Sequence, residues 1–100
     1  MAVRLIRENY GRQLSLEGVA EQIHVSPKYL SRLFKDEMGI GFSEYLTQVR
    51  LEEAEKLLSS SMLNVREIAA QVGYLDEKYF SRIFKKATGL KPTEYRRIYG

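Results

Sequence analysis

The chain has no cysteine, a single histidine and only two prolines in 100 residues. Without cysteine it can form no disulfide and no thiolate metal site, which fits a reducing compartment. His24 has no second histidine and no cysteine near it, so a ligand set of the usual zinc kind is missing. Apolar runs are short: none approaches the roughly 20 residues that span a bilayer. Met1 to Tyr10 carries Arg4, Arg7 and Glu8 inside its apolar pattern, which a secretory leader would not. Enzymatic chemistry also lacks parts. No paired carboxylates fall on an inward helical face, and Gly39-Ile40-Gly41 has neither a preceding strand nor a third glycine. Short connections leave little room for a large pocket. The expectation is a non-enzyme with no cofactor, no metal and no catalytic residue.

Charge of either sign is plentiful but nearly balanced. The net charge is +3, and the isoelectric point lies near 9.2. Residues 1–50 carry seven basic and six acidic side chains, and residues 51–100 carry nine and seven. So mild an excess says little; its placement matters, because attraction to phosphate is screened within roughly 10 Å at ordinary salt.

The placement is set by a duplication. Lys28-Tyr29-Leu30-Ser31-Arg32-Leu33-Phe34-Lys35 returns as Lys78-Tyr79-Phe80-Ser81-Arg82-Ile83-Phe84-Lys85, with six of eight positions identical at an offset of 50. At helical spacing Leu30, Leu33 and Phe34 share one face, and Lys28, Ser31, Arg32 and Lys35 share another. In the second copy Phe80, Ile83, Phe84 and Ala87 form the inner face, and Lys78, Ser81, Arg82 and Lys85 the outer one.

The flanking sequence repeats too. Val3, Ile6 and Tyr10 give a short helix over Ala2 to Tyr10 that covers the first core, with Gly11 as its stop. Ser15 is an N-cap and Leu14 a staple to Val19; Leu16, Val19, Ala20 and Ile23 follow at helical spacing, with Ala20 small enough for a close helix crossing. His24 sits where the chain must turn, a position histidine tolerates. Val25-Ser26-Pro27 then opens the next helix as staple, N-cap and N1, and Gly39 ends it. Two short helices joined this tightly form a helix-turn-helix. Phe42 to about Ser59 is the longest periodic run, roughly 27 Å of helix, with Glu52 and Lys56 as an i, i+4 pair. It is too short for a coiled coil and reads as a spacer.

After Ser59-Ser60-Ser61 the pattern restarts. Leu63, Asn64, Glu67 and Ile68 supply a staple and a capping box. Val65, Ile68, Ala69 and Val72 repeat the earlier spacing at an offset of 49, and Gly73 takes the turn. One extra residue around Tyr74 moves the offset to 50. Leu75 then matches Val25 as the staple to Phe80, and Asp76 is the cap. Gly89 stops the helix, and Pro92 starts a last one containing Tyr95. The fold expected is all-α: a first helix-turn-helix unit over 1–41, a linker helix over 42–59 and a second unit over 60–100, an internal repeat of one supersecondary element.

The outer stripes suit B-DNA. A helix fits the major groove, where arginine bonds guanine O6 and N7 bidentately and serine serves either base type. Arg32 and Arg82 are the expected base readers. Lys28 and Lys78 lie near the helix N-termini, the end that enters the groove, and Ser31 and Ser81 allow close approach. Lys35, Lys85 and Lys86, further along, and the helix start at Ser26 are assigned to phosphate, with Arg96 beyond them. Tyr29 and Tyr79 flank the stripes and are expected to pack at the core edge. A spacer of ~27 Å approaches the ~34 Å of one DNA turn, so one chain would cover about 20 bp without needing a palindrome. The rival from another class is a docking module for an acidic protein, which would not bind duplex DNA at low salt.

From Val3 to Tyr99 the chain resembles the DNA-binding domain of the AraC/XylS family of bacterial transcription regulators. The residues that carry the resemblance are Ile68-Ala69 with Val72-Gly73-Tyr74, then Tyr79-Phe80-Ser81-Arg82 with Phe84-Lys85-Lys86, then Gly89-Leu90-Lys91-Pro92 with Tyr95-Arg96. The resemblance implies seven helices and two recognition helices, over about 27–38 and 77–88, in successive major grooves. It implies base contacts from Lys28, Ser31 and Arg32 in the first unit and from Glu77, Lys78, Ser81 and Arg82 in the second. It also implies a cytoplasmic regulator, activator or repressor, that works with RNA polymerase, and a sensor or receiver domain absent from this chain. Two features depart from the family pattern. His24 replaces the turn glycine, and Asp76 with Glu77 places two carboxylates at the start of the second recognition helix, where they can accept from cytosine N4 or weaken phosphate affinity.

Overall fold

A computed structural model describes residues 2–100. Seven helices follow one another: α1 (Ala2–Asn9), α2 (Leu16–Gln22), α3 (Pro27–Met38), α4 (Phe42–Ser60), α5 (Val65–Gln71), α6 (Glu77–Thr88) and α7 (Pro92–Tyr99). Among the described residues no helix is long and apolar enough to cross a membrane. The chain divides into two units, 1–49 and 50–100. The division falls inside α4, so the helix expected as a separate linker is shared between the units.

The first unit is built as its spacing requires. Ile6, Val19, Ala20, Leu30 and Phe34 are buried together with Phe42, Tyr45, Leu46 and Val49 from the first half of α4. Phe34 packs edge-on against Phe42, with ring centroids 5.6 Å apart. Ala20 is fully buried, and a methyl side chain is what lets α2 and α3 cross closely. Ser15 Oγ accepts from the Gly18 N–H at 3.0 Å, and Ser26 Oγ accepts from the Tyr29 N–H at 3.1 Å. Each satisfies a donor that the first helical turn leaves without an intrahelical acceptor. His24 has φ 60°, the one positive φ at a non-glycine among the described residues. Its N–H still reaches Glu21 O at 3.2 Å, so the turn closes in the left-handed region despite the Cβ.

The second unit buries Leu51, Ala54 and Leu58 from α4 with Ile68, Ala69, Val72, Tyr74, Phe80 and Phe84. Phe84 packs on Phe80 at 5.7 Å and edge-on against Tyr95 at 5.5 Å. Asn64 and Glu67 form the expected capping box: Asn64 Oδ1 accepts from the Glu67 N–H at 2.8 Å, and Glu67 Oε1 accepts from the Asn64 N–H at 2.9 Å. Gly39 and Gly89 end α3 and α6 with φ of 78° and 83°, where any Cβ would be strained.

Two expectations change. Leu75 is not the counterpart of Val25. The Tyr74 N–H donates to Ala69 O just as the Val25 N–H donates to Ala20 O, so the offset is still 49 at Tyr74. Phe80 N–H to Asp76 O then repeats Leu30 N–H to Ser26 O at an offset of 50. The extra residue is therefore Leu75 itself, which is 91% exposed and staples nothing. Tyr74 fills that place, its ring 5.7 Å from Phe80 and 5.3 Å from the Arg50 guanidinium. The larger aromatic surface wins the buried position. Secondly, Ala87 is exposed rather than inward, since the inner stripe of α6 ends at Phe84. Lys56 Nζ pairs with Glu53 Oε2 at 2.8 Å, an i, i+3 contact beside the i, i+4 spacing of Glu52. Both registers are neighbours on a helix surface.

Candidate nucleic-acid interface

In the first unit α3 turns its polar stripe outward. Lys28, Ser31, Arg32 and Lys35 are all exposed. They line one open cleft together with Leu16, Pro27, Asp36 and Gly41. The apolar stripe of α3 is locked inward by Leu30 and Phe34, so helical geometry leaves these side chains no other direction.

The second unit repeats the construction with different charges. Glu77, Ser81, Arg82 and Lys85 line a cleft with Val65, Lys91, Pro92 and Thr93. Lys78 and Lys86 are exposed on α6 but lie outside this cleft. Each cleft is lined by three cations and one carboxylate, a net +2: Lys28, Arg32 and Lys35 against Asp36 in one, Arg82, Lys85 and Lys91 against Glu77 in the other. Asp36 and Lys91 were not among the residues expected from sequence. Lys91 stands where the first copy has Gly41 at an offset of 50, and it joins the site only because Gly89 turns the chain back toward α6. Its signal in the sequence was a cation just ahead of the helix-starting Pro92.

Local contacts orient several of these groups. The Arg82 guanidinium lies 5.9 Å from the Tyr79 ring centroid, a one-turn cation–π contact that favours one arginine direction. Tyr79 is 47% exposed and its ring meets Tyr74 at 5.9 Å. It therefore serves both as core edge and as a rest for Arg82. Tyr29 is half-exposed and borders an apolar cleft with Ile23, Val25 and Leu33, in line with packing at the edge of the core. Glu77 Oε1 lies 3.8 Å from Arg66 Nε on α5, a long and exposed pair that holds the carboxylate only weakly.

The helix starts differ. Ser26 spends one lone pair on Tyr29 N–H and keeps its hydroxyl proton to donate. Asp76 Oδ1 accepts from both the Lys78 and Tyr79 N–H groups, at 2.9 and 3.3 Å. Those donors are taken, and the negative charge repels phosphate from this end.

Arg96 makes contacts within the fold that its spacing did not show. Its Nε donates to Leu58 O at 3.0 Å and its Nη2 to Ser61 O at 3.1 Å. The guanidinium is half-buried and satisfies carbonyls at the end of α4 that have no helical donor left. It clamps α7 to the end of α4. At the other end of α7 the Lys91 N–H donates to Glu94 Oε1 at 2.8 Å. That bond holds the Glu94 carboxyl below its ordinary range; burial opposes it, and the Lys91, Lys85 and Arg97 cations each add a smaller lowering effect.

Residues 19–98 match the family of helix-turn-helix domains. The chain is 47% identical over 94 residues to the HTH-type transcriptional regulator YijO of Escherichia coli, covering 94% of this chain and 33% of that protein. It thus spans about a third of the length of that curated relative. The fold is similar to the C-terminal domain of AraT, a response regulator from Geobacillus stearothermophilus, with TM-score 0.94 and 48% identity over 97% of this chain and 81% of the other. It is also similar to the DNA-binding domain of the global transcriptional factor AdpA, solved in complex with a target DNA, with TM-score 0.93 and 26% identity over 98% and 88% of the two chains.

Proposed function

The chain belongs to the AraC-type helix-turn-helix family, and from that premise we propose that it binds specific sites on double-stranded DNA as the DNA-binding domain of a bacterial transcription regulator. The observation that carries the reading is the repeated polar stripe: Lys28, Ser31, Arg32 and Lys35 exposed on α3, and Ser81, Arg82 and Lys85 on the matching face of α6. Two copies of one cationic face on one chain suit two major-groove segments of a single duplex.

Within that reading the residues divide by chemistry. Lys28, Ser31 and Arg32, with Glu77, Lys78, Ser81 and Arg82, are the base readers; arginine takes guanine, and a carboxylate can accept only from the amino groups of cytosine or adenine. Lys35, Lys85 and Lys86 meet phosphate, joined by the Ser26 hydroxyl and by Lys91. The larger regulator would add a sensor or receiver domain, consistent with the third of YijO that this chain spans. It would act on RNA polymerase in the cytoplasm, where the template lies.

Selection from random duplexes, followed by affinity measurement on the selected site, tests the proposal. Arg32→Ala should cost ~1–3 kcal/mol and relax preference at one base pair. Equal loss on all sequences would make Arg32 a phosphate contact. No binding to any duplex at low salt would end the DNA reading.

A further inference from the structure

We propose that Leu75 is a specificity-determining residue, one that recognises the 5-methyl group of a thymine in the groove entered by α6. The inference rests on the DNA-binding reading and adds to it a contact that is apolar.

Leu75 is the single residue by which the second helix-turn-helix exceeds the first. Its neighbours on both sides repeat the first unit's hydrogen bonds: the Tyr74 N–H is held by Ala69 O at 2.8 Å, and Asp76 O accepts the Phe80 N–H at 3.0 Å. Asp76 is pinned again by its side-chain bond to the Lys78 N–H. The inserted residue is therefore a one-residue bridge between two anchored positions, and its direction is set by them. That direction is outward, with 91% of the residue exposed. The fold does not use the side chain, because Tyr74 already fills the staple position against Phe80.

Its surroundings narrow what it can meet. Leu75 precedes Asp76, the N-cap of α6, at the end of a recognition helix that approaches base edges. The next two residues, Asp76 and Glu77, are carboxylates, so the corner repels the phosphate backbone and suits groups without negative charge. In the major groove those are amino groups, which the carboxylates can bond, and the thymine methyl, the one apolar feature any base presents there. A leucine beside two acceptors fits a thymine next to a cytosine or adenine amino group.

The test uses the duplex selected by the wild-type chain. Each thymine on the second unit's side of the site is replaced in turn by deoxyuridine, which removes only the methyl. Wild type should lose about 4-fold in affinity at one such position, the equivalent of one buried methyl group. Leu75→Ala should lose a similar factor on the thymine duplex and become indifferent to deoxyuridine there, while Leu75→Met keeps part of the discrimination. Thermal unfolding of both variants should match wild type, since the residue is exposed. The inference is overturned if wild type shows no methyl dependence, if Leu75→Ala binds both duplexes as wild type does, or if it weakens both while the deoxyuridine penalty persists. In the second of those cases the leucine serves some other contact, such as a protein. Arg32→Ala on the same duplex separates the failures: if it weakens binding while Leu75→Ala does not, the DNA reading stands and only the leucine assignment falls.

Discussion

Replacing Arg96 by alanine should cost folding stability and leave DNA affinity's salt dependence unchanged. The guanidinium makes two charge-assisted hydrogen bonds, to Leu58 O at 3.0 Å and Ser61 O at 3.1 Å. Bonds to a charged group contribute about 1.5–3 kcal/mol each. Arg96 is half-exposed, so water replaces part of that, and about 2 kcal/mol for the pair is the reasonable sum. The acceptors lie at the C-terminal end of α4, where a cation also meets the negative end of the helix dipole. For a chain of 100 residues a loss of this size lowers the melting temperature by about 10 °C. Arg96→Lys should recover part of it, keeping the charge but not the paired donors. Denaturant titration with both variants measures the cost, and binding to a fixed duplex across a salt series reads the phosphate count. The reasoning is refuted if Arg96→Ala unfolds at the wild-type midpoint and instead makes the salt slope shallower by about one phosphate contact.

Three further outcomes follow from the structure. Lys35→Ala should weaken binding to every duplex alike and lower the salt slope by ~0.9, the release of one phosphate's counterion; an unchanged slope removes Lys35 from the interface. His24→Gly should raise stability by about 0.5–1 kcal/mol, because relief of a left-handed non-glycine outweighs the added freedom of the unfolded chain; a lower denaturant midpoint would show that the imidazole makes a stabilising contact of its own. Glu94 has a carboxyl whose folded pKa is depressed, first by the Lys91 N–H bond. Its stabilisation is full above the ordinary carboxylate range and is lost as pH falls through the depressed folded value. Wild type should thus exceed Glu94→Gln in midpoint near pH 6, with the gap closing in acid, and a gap independent of pH would show that the charge is not the cause.

Much of the fold was legible along the chain because its signals are local. Ser15, Ser26, Asn64 and Asp76 all cap the helices they precede, and Gly39 and Gly89 end theirs. A cap depends on three or four consecutive residues, so it can be read without knowing what packs nearby. The outward polar stripes were legible for the same reason: once Leu30 and Phe34, or Phe80 and Phe84, must be buried, helical periodicity dictates which residues face away.

Contacts between distant residues were not legible. Tyr74 and Leu75 are adjacent apolar residues, and either could have filled the position before Asp76. The choice went to Tyr74 because its ring is met by Phe80 and Arg50, neighbours that exist only once α4, α5 and α6 have assembled. Arg96 looked like one more surface cation, yet its acceptors lie 38 and 35 residues away. Lys91 entered the second cleft through the return of the chain rather than through spacing. Periodicity and capping act within a few residues and so are written in order along the polypeptide. Which of two apolar side chains is buried, and whether a cation meets a carbonyl or solvent, depends on volume and acceptors brought from far along the chain, and packing settles both.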